Sequence, residues 1–382
     1  MTLDQLDTPA AVIDVAKMTR NIASMQARMR ALGVHFRPHV KTTKCIDVVR
    51  AQIAAGAVGI TVSTLKEAEE FFAAGVVDIL YAVGIDPTKL PRAAKLKRAG
   101  CKLKLVVDNP YAATAVAEFS RAEQVAFEIW IEVDTDGHRS GIKPDEDTLL
   151  EVANILRQAG IEVGGVMTHA GSSYELDTPD ALVALAEQER AGCVRAAQRL
   201  RAVGIACPGV SVGSTPTALA ARKLDGVTEV RAGVYVLFDL VMHNVGVCTF
   251  DEIALSVVTT VIGHQADRGW VIVDAGWMAM SRDRGTSKQA HDFGYGQVCT
   301  VDGVPLPGYI VSGANQEHGI VSRADLPAAA PAPTHDMLTL FPIGTKLRIL
   351  PNHACATGAQ FPAYHALSEH GDLSVWRRFH GW

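Results

Sequence analysis

The feature that most constrains this chain is an alternation running from its start to about residue 240, in which short β-branched apolar runs are each followed by a longer segment with helical spacing of apolar positions. The runs AAVIDV, HFRPHVK, AVGITVS, DILYAVG, KLKLVVD, FEIWIEVD, EVGGVMTH and PGVSVGS alternate with Ala-, Leu- and Arg-rich stretches such as MTRNIASMQARMRAL, and a ninth run, TEVRAGVYVLF, closes the series. Sequential βα units in this number predict an α/β fold whose parallel strands close into a (β/α)8, TIM-like barrel. The first run can then belong outside the barrel.

Beyond residue 250 the texture changes to Val- and Ile-rich stretches broken by glycine turns, as in ALSVVTTVIGH, GWVIVDAGW, GYGQVCTVDG and TKLRILPNHA. That pattern predicts a β-rich C-terminal domain. The 382 residues exceed what one core usually serves, so two domains are expected: a barrel over 10–245, and a β-rich domain over 246–382 joined by residues 1–9. The segment ADLPAAAPAPTHD reads as a surface loop.

Composition narrows the function. With 48% hydrophobic and 20% charged residues, a net charge of -5 and no long charge run, the chain has no signature of a nucleic-acid or membrane-surface partner. Its apolar stretches fall short of the roughly 20 residues that span a bilayer. The N-terminus MTLDQLDTPAAVIDV has two acids before any apolar run and no basic flank of a signal peptide, so a cytoplasmic location is expected. Seven scattered cysteines without CxxC spacing read as reduced, buried hydrophobes, with Cys355 set apart by its neighbours.

Five motifs carry chemistry. RPHVKTTK places Lys41 at the end of an apolar run, where it is either a surface lysine or an amine in a partly desolvated site able to form a Schiff base; His39, two residues earlier, would face the same side. IEVDTDGHRSG gathers Asp134, Asp136, His138 and Arg139 at a strand end. Arg139 could grip a phenolate or carboxylate with its fork of donors, or pair with Asp134 on the surface. VMTHAGSSYE and SVGSTPTALAARKL end strands in small hydrogen-bonding residues, with Gly213, Ser214 and Thr215 ahead of Pro216. Such a turn is either an ordinary helix cap or a cradle whose N–H groups face a phosphate, and RAGVY, Arg231 to Tyr235, could complete it. PNHACATGAQ sets His353 and Cys355 two residues apart, one face of an extended segment, as a candidate pair of ligands for a borderline-soft divalent ion, most naturally Zn²⁺.

Taken together in order, PHVKTTK, VDTDGHRSG, THAGSSY, GSTPT, RAGVY, VDAGWMAMSRD, NQEHG and PNHACAT resemble the D-threonine aldolase and D-serine dehydratase group of alanine-racemase-like, fold type III pyridoxal-phosphate enzymes. The resemblance runs nearly end to end. It implies pyridoxal 5'-phosphate on Lys41, the cofactor phosphate held by Gly213, Ser214, Thr215, Gly233 and Tyr235, Arg139 near the phenolic oxygen and Tyr174 near the pyridine nitrogen. It also implies a divalent metal (Zn, Mn, Mg or Co) on His353 and Cys355, and a homodimer. Aldolases of this group tend to carry HxD where dehydratases carry HxC, so His353-Ala354-Cys355 favours dehydration of a 3-hydroxy-D-amino acid to a 2-oxo acid and ammonia. Lys41 would remove the α-proton while a metal at the β-hydroxyl eases its departure. The favoured small-molecule substrate is D-threo-3-hydroxyaspartate. An aldolase releasing glycine and an aldehyde is the alternative, and a non-catalytic pyridoxal-phosphate-binding protein a further one.

Overall fold

A computed structural model describes residues 2–324 and 334–382. The chain divides into two compact units, residues 23–233 with 381–382, and residues 1–22 with 234–380. The Pro/Ala-rich segment lies mostly outside the described residues, and its last three residues begin a helix, Thr334–Leu340. Among the described residues no helix is long and apolar enough to cross a membrane.

Strand β1, Ala10–Asp14, belongs to the second unit, which places the boundary differently from the expected 10–245. Its partners decide this: Ala10 lies opposite Val258 of an antiparallel strand, and Val12 opposite His365 of a parallel one. The first of the nine sequence runs is therefore the one left out of the barrel.

In the first unit the remaining eight runs become parallel strands: β2 (His35–Phe36), β3 (Ile60–Val62), β4 (Asp78–Gly84), β5 (Lys102–Val107), β6 (Glu128–Glu132), β7 (Glu162–Met167), β8 (Gly209–Val212) and β9 (Glu229–Val230). They pair in the order β2-β9-β8-β7-β6-β5-β4-β3, and a parallel bridge from His39 to Thr61 joins the two ends of the row. Strands β3, β5 and β7 are almost wholly buried, which is why they read as continuous apolar runs rather than as alternations. Polar residues start the intervening helices. Thr64 accepts from the Glu67 N–H, Asn109 from Ala112 and Thr178 from Ala181, and Pro110 and Pro179 occupy first-turn positions where no N–H is needed.

Leu80, Val106, Trp130 and Met167 form an apolar cluster in the barrel unit, which also holds an ion cluster. Arg37 donates to Asp78 at 2.5 Å and to Glu229 at 2.9 Å, and Lys104 donates to the same Asp78 oxygen at 2.6 Å. Arg37 and Glu229 are both nearly sealed from water.

The second unit holds, among its described residues, a nine-stranded sheet of β1 with β10 (Leu255–Gln265), β11 (Trp270–Val273), β12 (Gly296–Thr300), β13 (Pro305–Ala314), β14 (Gly319–Arg323), β15 (Lys346–Pro351), β16 (Ala363–Leu367) and β17 (Leu373–Arg377). Its order is β11-β14-β13-β12-β15-β10-β1-β16-β17, and an additional β10–β11 pairing curls six of the strands into a closed ring. Closure leaves those strands no free edge. Val257, Val271, Val273, Val298, Val321 and Ile349 fill the inside. The fold is thus a (β/α)8 barrel with a β-rich C-terminal unit, as the sequence pattern predicts.

Removing the Glu229 carboxylate would strand the buried Arg37 guanidinium with half its partners. Glu229→Ala should destabilise the protein by about 3–5 kcal/mol, read as a lowered urea midpoint. An unchanged midpoint would mean that the interior ion cluster carries no structural weight.

Candidate functional site

In the barrel unit the loops that follow the strands' C-terminal ends surround a cavity of about 220 Å³. His39, Lys41, Arg139, His169 and Arg231 are in its wall, together with Glu132. Lys41 sits in a 3-10 turn, Val40–Thr42, directly after β2, and its side chain is exposed. The segment is therefore not the extended one that placed His39 and Lys41 on one side by period-two reasoning. Both nevertheless reach the cavity, because the turn bends Lys41 over it. The turn is fixed from behind by Lys44, which takes a positive φ of 45° and pairs with the fully buried Glu67 at 3.2 Å.

His39 has its Nε2 3.4 Å from the Ser63 hydroxyl, and its Nδ1 is buried without a hydrogen-bond partner. Burial, reinforced by the Lys41 and Arg231 charges, drives its pKa well below the usual histidine range. An orphaned buried imidazole nitrogen, a primary amine and two guanidinium groups around one cavity suit an anionic aldehyde cofactor with a polar ring.

Arg139 does not pair with Asp134. Its guanidinium is about half exposed and stands 3.8 Å from Glu132. Asp134 instead accepts the N–H groups of Asp136 and Gly137, so it shapes the turn. Burial pushes the Glu132 carboxyl up, against the pull of Arg139 and of the Ser140 hydroxyl that donates to it at 3.1 Å. The same turn is tied to the next loop by Asp136, which accepts both the N–H and the hydroxyl of Ser172. Tyr174 lies in that loop, half-buried, its ring centroid 6.2 Å from that of His169.

Of the two readings left open by its sequence, the GST turn shows the helix cap. Ser214 is the cap of the helix Thr215–Ala220: its hydroxyl accepts from Thr217 N–H at 3.2 Å and lies 2.8 Å from the Ser173 hydroxyl. Gly213, at φ +128°, has its N–H bonded to Glu189 at 3.0 Å and its carbonyl 3.0 Å from His169 Nδ1. The Gly213 N–H is therefore taken by Glu189 and does not face a phosphate as expected. Its contribution is shape, since a Cβ there would meet the Arg231 carbonyl at 2.2 Å. Gly233 packs the loop after β9 against the Lys41 turn, where a Cβ would come 3.1 Å from the His39 carbonyl and the Thr42 hydroxyl.

Arg231 and His169 are among the cavity residues that the sequence did not single out. Arg231 was visible only as the start of a glycine turn, yet its buried guanidinium donates to Ser211 Oγ at 2.8 Å and to the Thr168 carbonyl. A charged residue closing an apolar strand was the available signal. His169, in THAGSSY, was visible as part of a motif without a role of its own; burial lowers its pKa to about 3, with Arg139 and Lys41 adding to the effect and the Gly213 carbonyl opposing it.

In the second unit, His353 is the cap of a short helix, Ala354–Gly358, that follows β15, and Cys355 is that helix's second residue. The two side chains hydrogen-bond each other through this helical start rather than along an extended strand. His353 Nδ1 lies 2.6 Å from Asp283 Oδ2, so Nε2 is the ring nitrogen that could bind a metal, as where a carboxylate orients a ligating imidazole. Burial works against the charged imidazole, but Cys355 and Asp283 hold it well above its ordinary range. The Ala354 N–H is fixed by buried Asp239 at 2.9 Å. All seven cysteines are free; the other six are buried, and Cys355 is partly accessible. Among the described residues no group of three or more His, Cys, Asp or Glu forms a closed metal cage. The donor set fits an open divalent site, with positions left for water or a substrate oxygen. Tyr235 belongs to this unit and is buried in the turn Val234–Val236.

His169 makes the pH dependence testable. As pH falls from about 6.5 towards about 3, an unfolded histidine takes up a proton that folded His169 refuses, so stability falls across that window by up to about 1.4 kcal/mol per pH unit. His169→Gln should show a shallower decline in urea midpoint between those limits. Equal slopes for both proteins would contradict a neutral, buried imidazole.

Comparison with known proteins places these features. The alanine racemase N-terminal domain model matches residues 13–240, and a putative serine dehydratase domain model matches 254–367. The chain is 66% identical to D-threo-3-hydroxyaspartate dehydratase of Delftia sp. (strain HT23), over 100% of this chain and 99% of that one. A solved structure of a D-threo-3-hydroxyaspartate dehydratase, a cysteine-to-alanine mutant in the metal-free form, superposes with a TM-score of 0.98 at 66% identity over 100% of both chains. The 3-hydroxy-D-aspartate aldolase of Paracoccus denitrificans (strain Pd 1222) is more distant, 27% identical over 94% of this chain and 87% of that one. A lysine-bearing barrel matched by the one domain model and a His-Cys unit matched by the other make this chain a member of the alanine-racemase-like, fold type III group of pyridoxal-phosphate enzymes.

Proposed function

We propose that the protein is a pyridoxal-phosphate- and divalent-metal-dependent lyase that converts D-threo-3-hydroxyaspartate, or a close 3-hydroxy-D-amino acid, to a 2-oxo acid and ammonia. The observation that carries the reading is the end-to-end 66% identity with a dehydratase, against 27% with an aldolase of similar substrate class. The presence of His353 and Cys355 together beside Asp283 supports it.

The cofactor, when bound, supplies an electron sink that stabilises negative charge at the substrate α-carbon. A divalent ion, when bound, supplies Lewis acidity for the departing β-hydroxyl. Lys41, exposed on its turn, would be the amine that holds the cofactor and the base placed to take the α-proton. His39 stays neutral beside it and lends its unpartnered Nδ1 to the bound ligand. Arg139 would hold the cofactor's phenolic oxygen, and Tyr174 would serve its pyridine nitrogen. Gly213, Ser214, Thr215, Gly233 and Tyr235 would hold the phosphate, Gly213 by making room rather than by donating. His353 Nε2 and the Cys355 thiolate would hold the metal. The residue ranges 23–233 and 234–380 are then the cofactor-bearing and metal-bearing parts. A cytoplasmic homodimer with a small amino acid as substrate, and with no nucleic-acid or membrane partner, completes the proposal.

Product analysis tests the reaction: purified protein with pyridoxal phosphate and Mn²⁺ or Zn²⁺ is given D-threo-3-hydroxyaspartate, D-threonine and D-serine in turn. Oxaloacetate and ammonia from the first are expected, whereas glycine and glyoxylate would make the protein an aldolase. Lys41→Ala should lose the visible absorbance of lysine-linked cofactor along with turnover. Full activity in that variant would remove Lys41 from the chemistry, and Lys41-dependent absorbance without any turnover would point to a binding protein. Cys355→Ala should lose metal-stimulated rate while keeping the absorbance; a wild-type rate untouched by chelation would sink the metal assignment.

A further inference from the structure

Glu189 stands on the 24-residue helix Pro179–Ala202, far along the chain from either cavity loop, and is 2% exposed. A single oxygen of its carboxyl, Oε1, accepts two backbone N–H groups, Ala170 at 3.0 Å and Gly213 at 3.0 Å. One amide comes from the loop after β7 and the other from the loop after β8. The same two loops meet again where His169 Nδ1 approaches the Gly213 carbonyl at 3.0 Å and where the Ser173 and Ser214 hydroxyls lie 2.8 Å apart. Those later contacts join one loop to the other, whereas Glu189 fixes both to a long helix whose Leu185, Cys193 and Ala196 are buried. Gly213 has little freedom of its own, because its position leaves no space for even a Cβ beside the Arg231 carbonyl.

We infer that Glu189 is a positioning residue for the cofactor's phosphate loop. It does not reach the cavity wall itself; by clamping Ala170 and Gly213 it sets where Ser214, Thr215 and Tyr174 stand. The inference rests on the pyridoxal-phosphate reading above. What the clamp on the two amides requires is a correctly placed acceptor oxygen, since one oxygen serves both, and the carboxyl also hydrogen-bonds the Thr217 side chain. A glutamine carbonyl can occupy that place, while aspartate keeps the charge but withdraws the oxygen by a methylene.

The test is a titration of the cofactor-stripped full chain with pyridoxal phosphate, followed by visible absorbance, for wild type, Glu189→Gln, Glu189→Asp and Glu189→Leu. Turnover at saturating cofactor and the thermal midpoint are measured in parallel. Glutamine should bind within about threefold of wild type, and aspartate and leucine about tenfold or more weakly, with turnover at saturating cofactor much less affected. Should the leucine variant fail to fold, the aspartate and glutamine pair still decides. Wild-type affinity in the aspartate variant, or a glutamine variant as weak as the aspartate one, overturns the inference. Absence of any Lys41-dependent uptake by the wild-type protein would instead defeat the functional reading on which it stands.

Discussion

A guanidinium sealed inside the barrel governs much of the first unit. Arg231 is 3% exposed, and burial lowers its pKa against the pull of Glu229 and Glu189. A buried charge is tolerable only when paired and hydrogen-bonded on several sides. The structure meets that demand with a chain of contacts: Arg231 to Ser211 Oγ at 2.8 Å, Ser211 to Glu229 at 2.9 Å, Glu229 to Arg37 at 2.9 Å, and Arg37 to Asp78. These residues come from or follow four different strands. Their mutual satisfaction fixes strand register as well as charge, and it delivers the Arg231 head to the cavity wall in one orientation.

Around that fixed cation the loops are bound to each other more than to solvent. Asp136 holds Ser172, Ser173 meets Ser214, His169 meets Gly213, and Gly233 packs on the turn that bears Lys41. A cavity built this way is preformed, so little ordering remains to be done when a ligand arrives. The exception is the Lys41 side chain, which is exposed. That contrast suits the role proposed for it. In the second unit the same economy appears on a smaller scale: Asp283 orients His353, and buried Asp239 anchors the helix start that sets Cys355 beside it.

Much of this was readable in advance. Eight of nine apolar runs became barrel strands, and His39 and Lys41 of one motif came to one cavity with Arg139 of another because polar residues at strand ends gather on one face of a barrel. His353 and Cys355 came together as well, although by a helix start and not by the extended geometry assumed for them. What the sequence left open is equally specific. The first run could lie inside or outside the barrel, and only the pairing of β1 with β10 and β16 places it outside. Pairing with Asp134 was one of two readings for Arg139, and that carboxylate is taken by backbone amides of its own turn. Glu189 gave no signal at all, since a glutamate in a long helix ordinarily faces water.

By itself the sequence determined the fold class, the order of the elements and the list of groups able to do chemistry, because periodicity and residue type are local properties of the chain. Tertiary structure alone decided which of those groups are neutral, which hydrogen bonds are already used, and which distant carboxylate holds two loops in place. Those outcomes depend on burial and on partners brought from other strands and helices, and neither is encoded in any short stretch of residues.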